Sequence, residues 1–345
     1  MRSFLALISS VGMLGCTSQG QSLQPITITH SSGGSNWPLF LAKEGGYYQQ
    51  YGLDARLVFT VHPAEIAMLV SGEAQLATYS LEQMMQAASR DGSLIFIGSP
   101  LNKGMFVIVA RSDVRSVKDL RGRRIGVSQL GDAPYSYSLA LIRKFGISAR
   151  DVKWIPLGTD VNGRVAALVA GRIDATLVTA PAYFKLESAG FRILANFADV
   201  PDILSSTAMV MKRKTLEADP QLAIRLLKAQ AEAVKRFYID RGFAIKAYLA
   251  YDKNAQEPDV ERLYDLYARA NAFERVPYVL SEAVRSTISQ QTDPQIAANM
   301  KAFDFHKIVD NRLITSLVSS GFYEHIFGNE IEGEEHQRAQ LAFQK

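Results

Sequence analysis

The chain has 345 residues, of which 48% are hydrophobic and 21% are charged, and its formal net charge is +4. This composition excludes a disordered polymer, a collagen-like fibre and a polytopic membrane protein, and at ~100–200 residues per domain the length suggests two folded units. The small basic excess is dispersed in short clusters, so we expect no nucleic-acid partner.

The N-terminus has the pattern of an export signal. An apolar run from Phe4 to Gly15 follows Arg2, and it is shorter than the roughly 20 residues that cross a bilayer. The run ends in M-L-G-C at Cys16, which resembles the bacterial lipobox, whose cysteine is lipidated. We therefore expect a lipoprotein signal peptide at 1–15, a flexible tether at 16–25 and a lipid-anchored protein in the periplasm or at the cell surface. An ordinary signal peptide cut nearby is the alternative.

Beyond residue 26, strand-like and helix-like segments alternate, which predicts an α/β fold with parallel strands. Helix-like segments begin near Pro38, Pro63, Pro134 and Gly163, and residues 219–327 are almost entirely helical in pattern. The acidic end of the chain predicts a solvated tail over 328–345. Strands are predicted at 26–30, 57–61, 75–78, 94–98, 105–110, 124–127, 152–156, 175–179 and 207–211.

One short segment occurs twice. The run L-V-S-G-E-A-Q at 69–75 is similar to L-V-A-G-R-I-D at 168–174. In both copies an apolar helix ends at a glycine, which tolerates positive φ, and a strand follows. The repeat predicts two lobes with similar winding.

Longer motifs resemble a known family. The run S-N-W-P-L-F-L-A-K-E-G-G-Y-Y-Q-Q-Y-G-L-D at 35–54 resembles the opening of solute-binding proteins of nitrate, sulfonate, taurine and thiamine-precursor (pyrimidine) importers. The run D-L-R-G-R-R-I-G-V at 119–127 resembles their entry into the second lobe, and 309–322 resembles their ending. Gln75 departs from the pattern, because aspartate is common there. The resemblance extends over residues 26–325.

The resemblance implies a type II periplasmic binding protein fold, in which two α/β lobes are joined by two crossover strands. Lobe one would comprise 26–108 and 207–327, with the helical C-terminal part, and lobe two would comprise 109–206. It also implies an extracytoplasmic, monomeric component of an ABC importer. This component would capture a small organic solute, aromatic or bearing a carboxylate or sulfonate, by hinge closure, and would deliver it to an inner-membrane permease.

Ligands of such sheets bind beyond the carboxyl ends of the strands. The candidate ligand-binding residues in those loops are Ser35, Asn36, Trp37, Thr78, Tyr79, Ser80, Asp132, Ala133, Tyr135, Ser136, Asp160, Asn162, Thr179 and Pro181. Trp37 is interpreted as a stacking wall, with core packing as the alternative. Asp132 and Asp160 also suit helix N-caps, where their charge would oppose a small anion. We therefore expect a ligand with a flat or apolar body and one polar or carboxylate end. Lys103 and Arg164 are the candidate cations, and Tyr183 completes the aromatic set.

No motif in the sequence indicates catalysis. The chain has no nucleophile elbow, no phosphate-binding glycine loop and no histidines at metal-ligand spacing. We therefore expect a protein that is not an enzyme and that needs no cofactor or metal. Two alternatives stay open. One is a protein that presents its ligand to a sensor kinase. The other is an enzyme like the fungal pyrimidine synthase of the same fold, although that enzyme has a cysteine-rich motif and this chain has only Cys16.

Overall fold

The computed structural model describes residues 22–344 except 32, 61–62, 200–206 and 292. The expected signal peptide, Cys16 and most of the expected tether lie outside the described residues. Within them, no helix combines the length and the apolar character needed to cross a membrane.

The first sheet contains strands from both ends of the sequence. Its strands are β1 (Gln24–His30), β2 (Leu53–Phe59), β3 (Leu76–Ser80), β4 (Leu94–Leu101) and β10 (Thr207–Lys212), in the order β2-β1-β3-β10-β4. Strands β1, β2 and β3 are parallel, and β10 runs antiparallel to both β3 and β4. The late strand β10 therefore lies inside a sheet that is otherwise built from the first 101 residues.

The second sheet repeats this topology. Its strands are β5 (Phe106–Ala110), β6 (Arg124–Val127), β7 (Lys153–Pro156), β8 (Ala175–Thr179) and β9 (Arg192–Asn196), in the order β7-β6-β8-β5-β9. Strands β6, β7 and β8 are parallel, and β5 runs antiparallel to β8 and β9. Since β5 belongs wholly to this sheet, the change of sheet falls at 102–105 rather than after residue 108. The other lobe boundaries stay a proposal.

Most helices belong to the first lobe. Helices α1 (Trp37–Glu44), α2 (Tyr47–Gln50), α3 (Ala64–Ser71) and α4 (Leu81–Asp91) connect its strands, and α5 (Ala133–Lys144), α6 (Val161–Val169) and α7 (Ala182–Ser188) lie in the second lobe. The helical region after β10 contains α8 (Arg213–Ala218), α9 (Pro220–Ile239), α10 (Arg241–Tyr251), α11 (Glu257–Arg269), α12 (Ser281–Gln290), α13 (Pro294–Ala302), α14 (Arg312–Ser319), α15 (Phe322–Phe327) and α16 (Glu332–Leu341).

The internal repeat marks equivalent places in the two sheets. Its first copy joins α3 to β3, and its second joins α6 to β8, the third parallel strand of each sheet in sequence order. The turn glycines Gly72 and Gly171 have φ values of 90° and 69°. The predicted left-handed glycine at each helix end is confirmed.

The end of the chain differs from the predicted solvated tail. Residues 332–341 form α16, in which Glu335 is buried, and Ile331 just before it is also buried. Arg338 Nε lies 2.8 Å from Oε2 of the buried Glu274. The acidic composition was misleading because apolar Ile331 is buried beside these acids and Glu334 lies 3.4 Å from Arg275 Nη1.

Candidate functional site

A cleft of about 720 Å³ lies between the two lobes. Its lining includes Ser31 after β1, Thr60 after β2, Ser128 after β6 and Thr159 after β7, together with Ser80 and Thr179 at the ends of β3 and β8. The carboxyl ends of all six parallel strands therefore meet at one cavity. This is the expected position for ligands of open parallel sheets.

Arg164 is a buried cation on the second-lobe side of the cleft. It lies in α6 and is only 5% exposed. Its Nη1 donates to Ser128 Oγ at 2.6 Å, and its Nη2 donates to the Leu177 carbonyl at 3.2 Å. Its Nε has no partner among the described residues. Burial lowers the pKa of Arg164, and nearby carboxylates oppose that shift.

Those carboxylates are Asp132 and Asp160, and both also line the cleft. Asp132 accepts a hydrogen bond from the Tyr135 amide at 2.8 Å, and Asp160 accepts one from the Gly163 amide at 3.1 Å. They are the N-caps of α5 and α6, as the alternative interpretation of the sequence had it. Burial raises the pKa of Asp132. Because two acids face one buried guanidinium, this side of the cleft has no surplus positive charge for a small anion.

The first-lobe side presents hydroxyl groups. Ser35, Thr60, Tyr79 and Ser80 line the cleft. The side-chain oxygens of Thr60 and Ser80 are inaccessible to solvent and have no hydrogen-bond partner within the described part of the chain. A buried hydroxyl without a partner costs free energy, and a rotation of either side chain towards the cleft would let a bound molecule supply that partner.

Aromatic rings line the cleft on both lobes. Phe106 and Tyr137 pack together at a centroid distance of 5.0 Å on the second-lobe side. On the first-lobe side Tyr267 of α11 is buried and lines the cleft. A Cβ placed on Gly34 would lie 2.7 Å from Tyr267 Cζ, so this ring lies directly against the glycine backbone. Neither Tyr137 nor Tyr267 was predicted.

The prediction that Trp37 forms the stacking wall is wrong. Its side chain is fully buried, and its Nε1 donates to the Ala244 carbonyl at 2.7 Å. Its ring packs on Phe237 and Tyr248, at centroid distances of 5.2 and 4.7 Å. It is part of the core behind Tyr267, whose ring centroid is 6.2 Å away. The helices that enclose Trp37 come some 200 residues later in the chain, which hid this environment from the sequence pattern.

Half of the predicted set lines the cleft: Ser35, Tyr79, Ser80, Asp132, Ala133, Asp160 and Thr179. The other half lies elsewhere. Asn36 is buried and its Nδ2 donates to the Ser31 carbonyl at 2.8 Å, so it shapes the first loop. Tyr135 packs against Trp154, with ring centroids 4.5 Å apart.

The remaining predicted residues also lie outside the lining. Thr78 and Ser136 are buried behind it. Asn162 is exposed and its Nδ2 donates to Asp160 at 3.4 Å. Pro181 is half-buried, and Tyr183 packs against Phe184 at a centroid distance of 4.7 Å. Strand-end loops alternate between cleft-facing and core-facing residues, and a single sequence does not indicate which face each side chain takes.

Other cleft residues lie on helices. Gln83, Gln86 and Arg90 of α4 line the cleft, as do Lys103 and Arg164. The Lys103 ammonium donates a hydrogen bond to the Ala270 carbonyl at the end of α11. The spacing of Gln83, Gln86 and Arg90 along α4 is that of one helix face, and this periodicity was the available sequence signal.

The two lobes contact each other on both sides of the cleft. On one side Gln86 Nε2 of the first lobe donates to the Gly131 carbonyl of the second at 3.4 Å. On the other side Arg262 of α11 pairs with Glu187 of α7 at 2.6 Å, and its guanidinium lies 4.1 Å from the ring centroid of Phe184. No cluster of three metal-ligating side chains occurs among residues 22–344 with the gaps given above.

Comparison with known proteins identifies relatives of the chain. The family described as NMT1/THI5 like matches residues 35–240. The chain is 27% identical over 141 residues to the 4-amino-5-hydroxymethyl-2-methylpyrimidine phosphate synthase of Schizosaccharomyces pombe, which covers 40% of this chain and 39% of that protein. It is 29% identical over 148 residues to the formylaminopyrimidine-binding protein of Halalkalibacterium halodurans, covering 41% and 42%. The match thus spans about two fifths of each relative.

Solved structures show the fold. The alkanesulfonate-binding protein SsuA of Xanthomonas axonopodis pv. citri, bound to MOPS, superposes with a TM-score of 0.66 at 20% identity, covering 84% of this chain and 97% of that one. The predicted family resemblance and the periplasmic binding protein fold are confirmed.

The prediction that the chain is not an enzyme is wrong. Its curated relatives include a pyrimidine phosphate synthase, so related sequences include enzymes. That prediction relied on the absence of catalytic motifs and of a second cysteine, and neither absence separates the chain from the synthase in sequence comparison.

Proposed function

The chain belongs to the NMT1/THI5-like family, and we propose that it binds a small, flat organic solute between its lobes as the substrate-binding component of an importer. The cleft carries this proposal, because it is lined from both lobes and contains buried polar atoms without partners among the described residues, namely Thr60 Oγ1, Ser80 Oγ and Arg164 Nε.

The charges on the second-lobe side of the cleft favour a neutral or weakly basic solute; the other lining cations are Arg90 and Lys103, and Lys103 already donates to the Ala270 carbonyl. Arg164 already faces Asp132 and Asp160, and its Nη atoms already donate to protein oxygens. A sulfonate would have to displace these contacts or approach the two acids. A heterocycle with amino groups would instead offer donors to the carboxylates and an apolar face to Tyr267 and Phe106. Among the relatives, the one from H. halodurans is named for binding a formylaminopyrimidine.

The test is a binding screen on the purified protein. Native mass spectrometry identifies any solute that is carried through purification, and a thermal-shift series compares 4-amino-5-hydroxymethyl-2-methylpyrimidine with taurine and MOPS. We expect the pyrimidine to raise the melting temperature, since a ligand at 100 times its Kd adds about 2.7 kcal/mol. Stabilisation by the sulfonates alone would contradict the proposed ligand class.

Arg164 offers the sharpest variant for this screen. Arg164→Ala removes the bonds to Ser128 Oγ and the Leu177 carbonyl that hold this wall of the cleft, so we expect at least tenfold weaker binding, about 1.4 kcal/mol. Arg172→Ala is the matched control. Arg172 follows α6, lies outside the cleft lining and is exposed. Equal losses in both variants would indicate a general effect on folding.

A second function is supported by the identity with the S. pombe synthase. Incubation of the protein with the solutes that bind it, followed by mass spectrometry of the small molecules, separates the two functions. A product at a new mass would establish catalysis, and recovery of unchanged solute would support transport. A permease and an ATPase encoded beside the gene would favour import over ligand presentation to a sensor kinase.

Lipidation of Cys16 and an extracytoplasmic location belong to the same proposal. A tethered protein stays near its permease, which raises its effective concentration. Labelling with palmitate should mark the wild-type protein, and Cys16→Ser should abolish the label. An unlabelled wild-type protein would leave the ordinary signal peptide as the remaining explanation.

A further inference from the structure

Glu82 is a buried acid at the contact between the lobes. It lies in the first turn of α4, and its residue surface is only 4% exposed. Its neighbours Gln83 and Gln86 line the cleft, and Gln86 donates to the Gly131 carbonyl of the second lobe. From that lobe, the Ser136 hydroxyl and the Asp132 carboxylate face Glu82. Its surroundings are therefore built partly by each lobe.

The Glu82 carboxyl has too few partners for a charge. Its Oε2 and the Ser136 Oγ are both inaccessible to solvent and lack a well-formed hydrogen bond to any described residue. Burial raises the pKa of Glu82 to about 8; the nearby Ser136 hydroxyl opposes that shift and the Asp132 carboxylate adds to it. A proton on this carboxyl removes a buried charge beside another acid.

The elements packed against α4 carry several charged groups. Glu282 and Arg285 of α12 pair with each other at 2.9 Å, and Lys212 of β10 donates to the Val70 carbonyl. Lys301 lies on α13, and α4 itself carries the exposed Arg90. Across the interface Arg164 faces Asp132 and Asp160. None of these cations forms an ion pair with Glu82 in the described structure.

We propose that Glu82 makes lobe closure depend on pH, because its carboxyl takes up a proton when the lobes contact each other and releases it when they part. Separation of the lobes would remove Ser136 and Asp132 and would return Glu82 to water. This inference rests on the proposed function, because it describes how pH would regulate the closure of the cleft. The pH effect itself does not require a bound ligand.

The sign of the effect follows from linkage. The arrangement with the higher pKa binds more protons, so acid favours contact between the lobes and alkali favours their separation. Between the ordinary pKa of a glutamate and about 8, the ratio of closed to open molecules should fall by up to about tenfold per pH unit. Above that range no further change is expected from Glu82.

The test measures the distance between the lobes without ligand. Spin labels are placed at Phe145→Cys in the second lobe and Ile239→Cys in the first, both exposed positions, on a Cys16→Ser background. Double electron–electron resonance then gives the distance distribution at about pH 6 and about pH 9. We expect the distribution to shift towards the separated lobes at the higher pH.

Glu82→Gln identifies the group responsible. The amide has the shape of the protonated acid, so the variant should keep the distribution of low pH at both values. Glu257→Gln is the control, because Glu257 also lies in the first turn of a helix but is exposed, and it should respond like the wild type. A wild-type distribution that does not change with pH, or an equal change in Glu82→Gln, would overturn the proposal. Either result would leave solute binding untouched, since no solute is present.

Discussion

Gln75 and Asp174 accept equivalent hydrogen bonds from strand amides in the two lobes. Gln75 Oε1 accepts a hydrogen bond from the Thr27 amide in β1 at 2.8 Å, and Asp174 Oδ2 accepts one from the Arg124 amide in β6 at 2.8 Å. Both residues end a copy of the internal repeat. The glutamine that departs from the family pattern thus preserves the contact, and only the charge is lost.

The charge matters in the second lobe. Asp174 also binds the Arg124 guanidinium, at 3.0 Å through Nε and 2.7 Å through Nη2, and these bonds lower the pKa of Asp174. A lowered pKa in the folded state gives stability that is present above the unfolded pKa and lost as pH falls through the folded value. Asp174→Asn should therefore destabilise the protein at neutral pH and by less under acid. Urea unfolding at pH 7 and about pH 3 measures this. Gln75→Glu is the reciprocal control, and an equal loss at both pH values for Asp174→Asn would contradict the ion-pair account.

Trp37→Ala should lower the free energy of unfolding. Removing a fully buried aromatic ring from a packed core costs about 3–5 kcal/mol. Trp37→Phe keeps a ring but loses the bond to the Ala244 carbonyl, so it should cost less. Denaturant titration measures both, with Trp154→Phe as the control for a half-buried tryptophan. A stable Trp37→Ala protein with tenfold weaker ligand binding would instead restore the stacking role that the sequence suggested.

Gly34→Ala should disturb Tyr267. The added Cβ would lie 2.7 Å from Tyr267 Cζ, and the ring is backed by Phe273 at 5.4 Å. Overpacking of this kind costs on the order of 1–3 kcal/mol. We expect lower stability and weaker ligand binding, measured by thermal unfolding and titration. Gly333→Ala in α16, where a Cβ meets no atom within 4 Å, should be neutral or stabilising. A double variant with Tyr267→Ala should lose less than the sum of its parts, and additive losses would contradict the clash.

The Arg262–Glu187 pair should favour the closed arrangement of the lobes, but only weakly. Its side chains are 50% and 44% exposed, so the ion pair contributes up to about 1 kcal/mol and salt screens it. Glu187→Gln should weaken ligand affinity by up to about fivefold, and Arg262→Ala by somewhat more, since it also loses the Phe184 contact. Titration at low and high salt measures this. Glu282→Gln, which breaks a pair within one helix, should have no effect. A similar loss of ligand affinity in Glu282→Gln would show that the effect does not come from the contact between the lobes.

Local signals made much of the fold predictable. The repeat at 69–75 and 168–174 placed two glycine turns and two strands correctly, because helix ends and β-branched runs are determined by neighbouring residues. The strand ends then located the cleft, since parallel strands in one sheet share an edge.

Contacts between distant segments were not predictable. Trp37 is enclosed by Phe237 and Tyr248 of late helices, and Tyr267 reaches the cleft from α11. Glu82 carried no motif, and the groups that face it include Ser136 and Asp132 of the other lobe. Periodicity shows which residues share a face, but it does not show what covers that face.

The place of β10 inside the first sheet determines the order in which the chain can fold during synthesis. Strands β3 and β4 do not pair with each other but meet through β10, which leaves the ribosome only after all the strands of the second sheet. The second sheet can therefore complete its strand pairing first. The first sheet lacks the strand between β3 and β4 until β10 is available. Chains that end before residue 207 should accordingly expose the edges of β3 and β4, and unpaired strand edges of this kind promote aggregation.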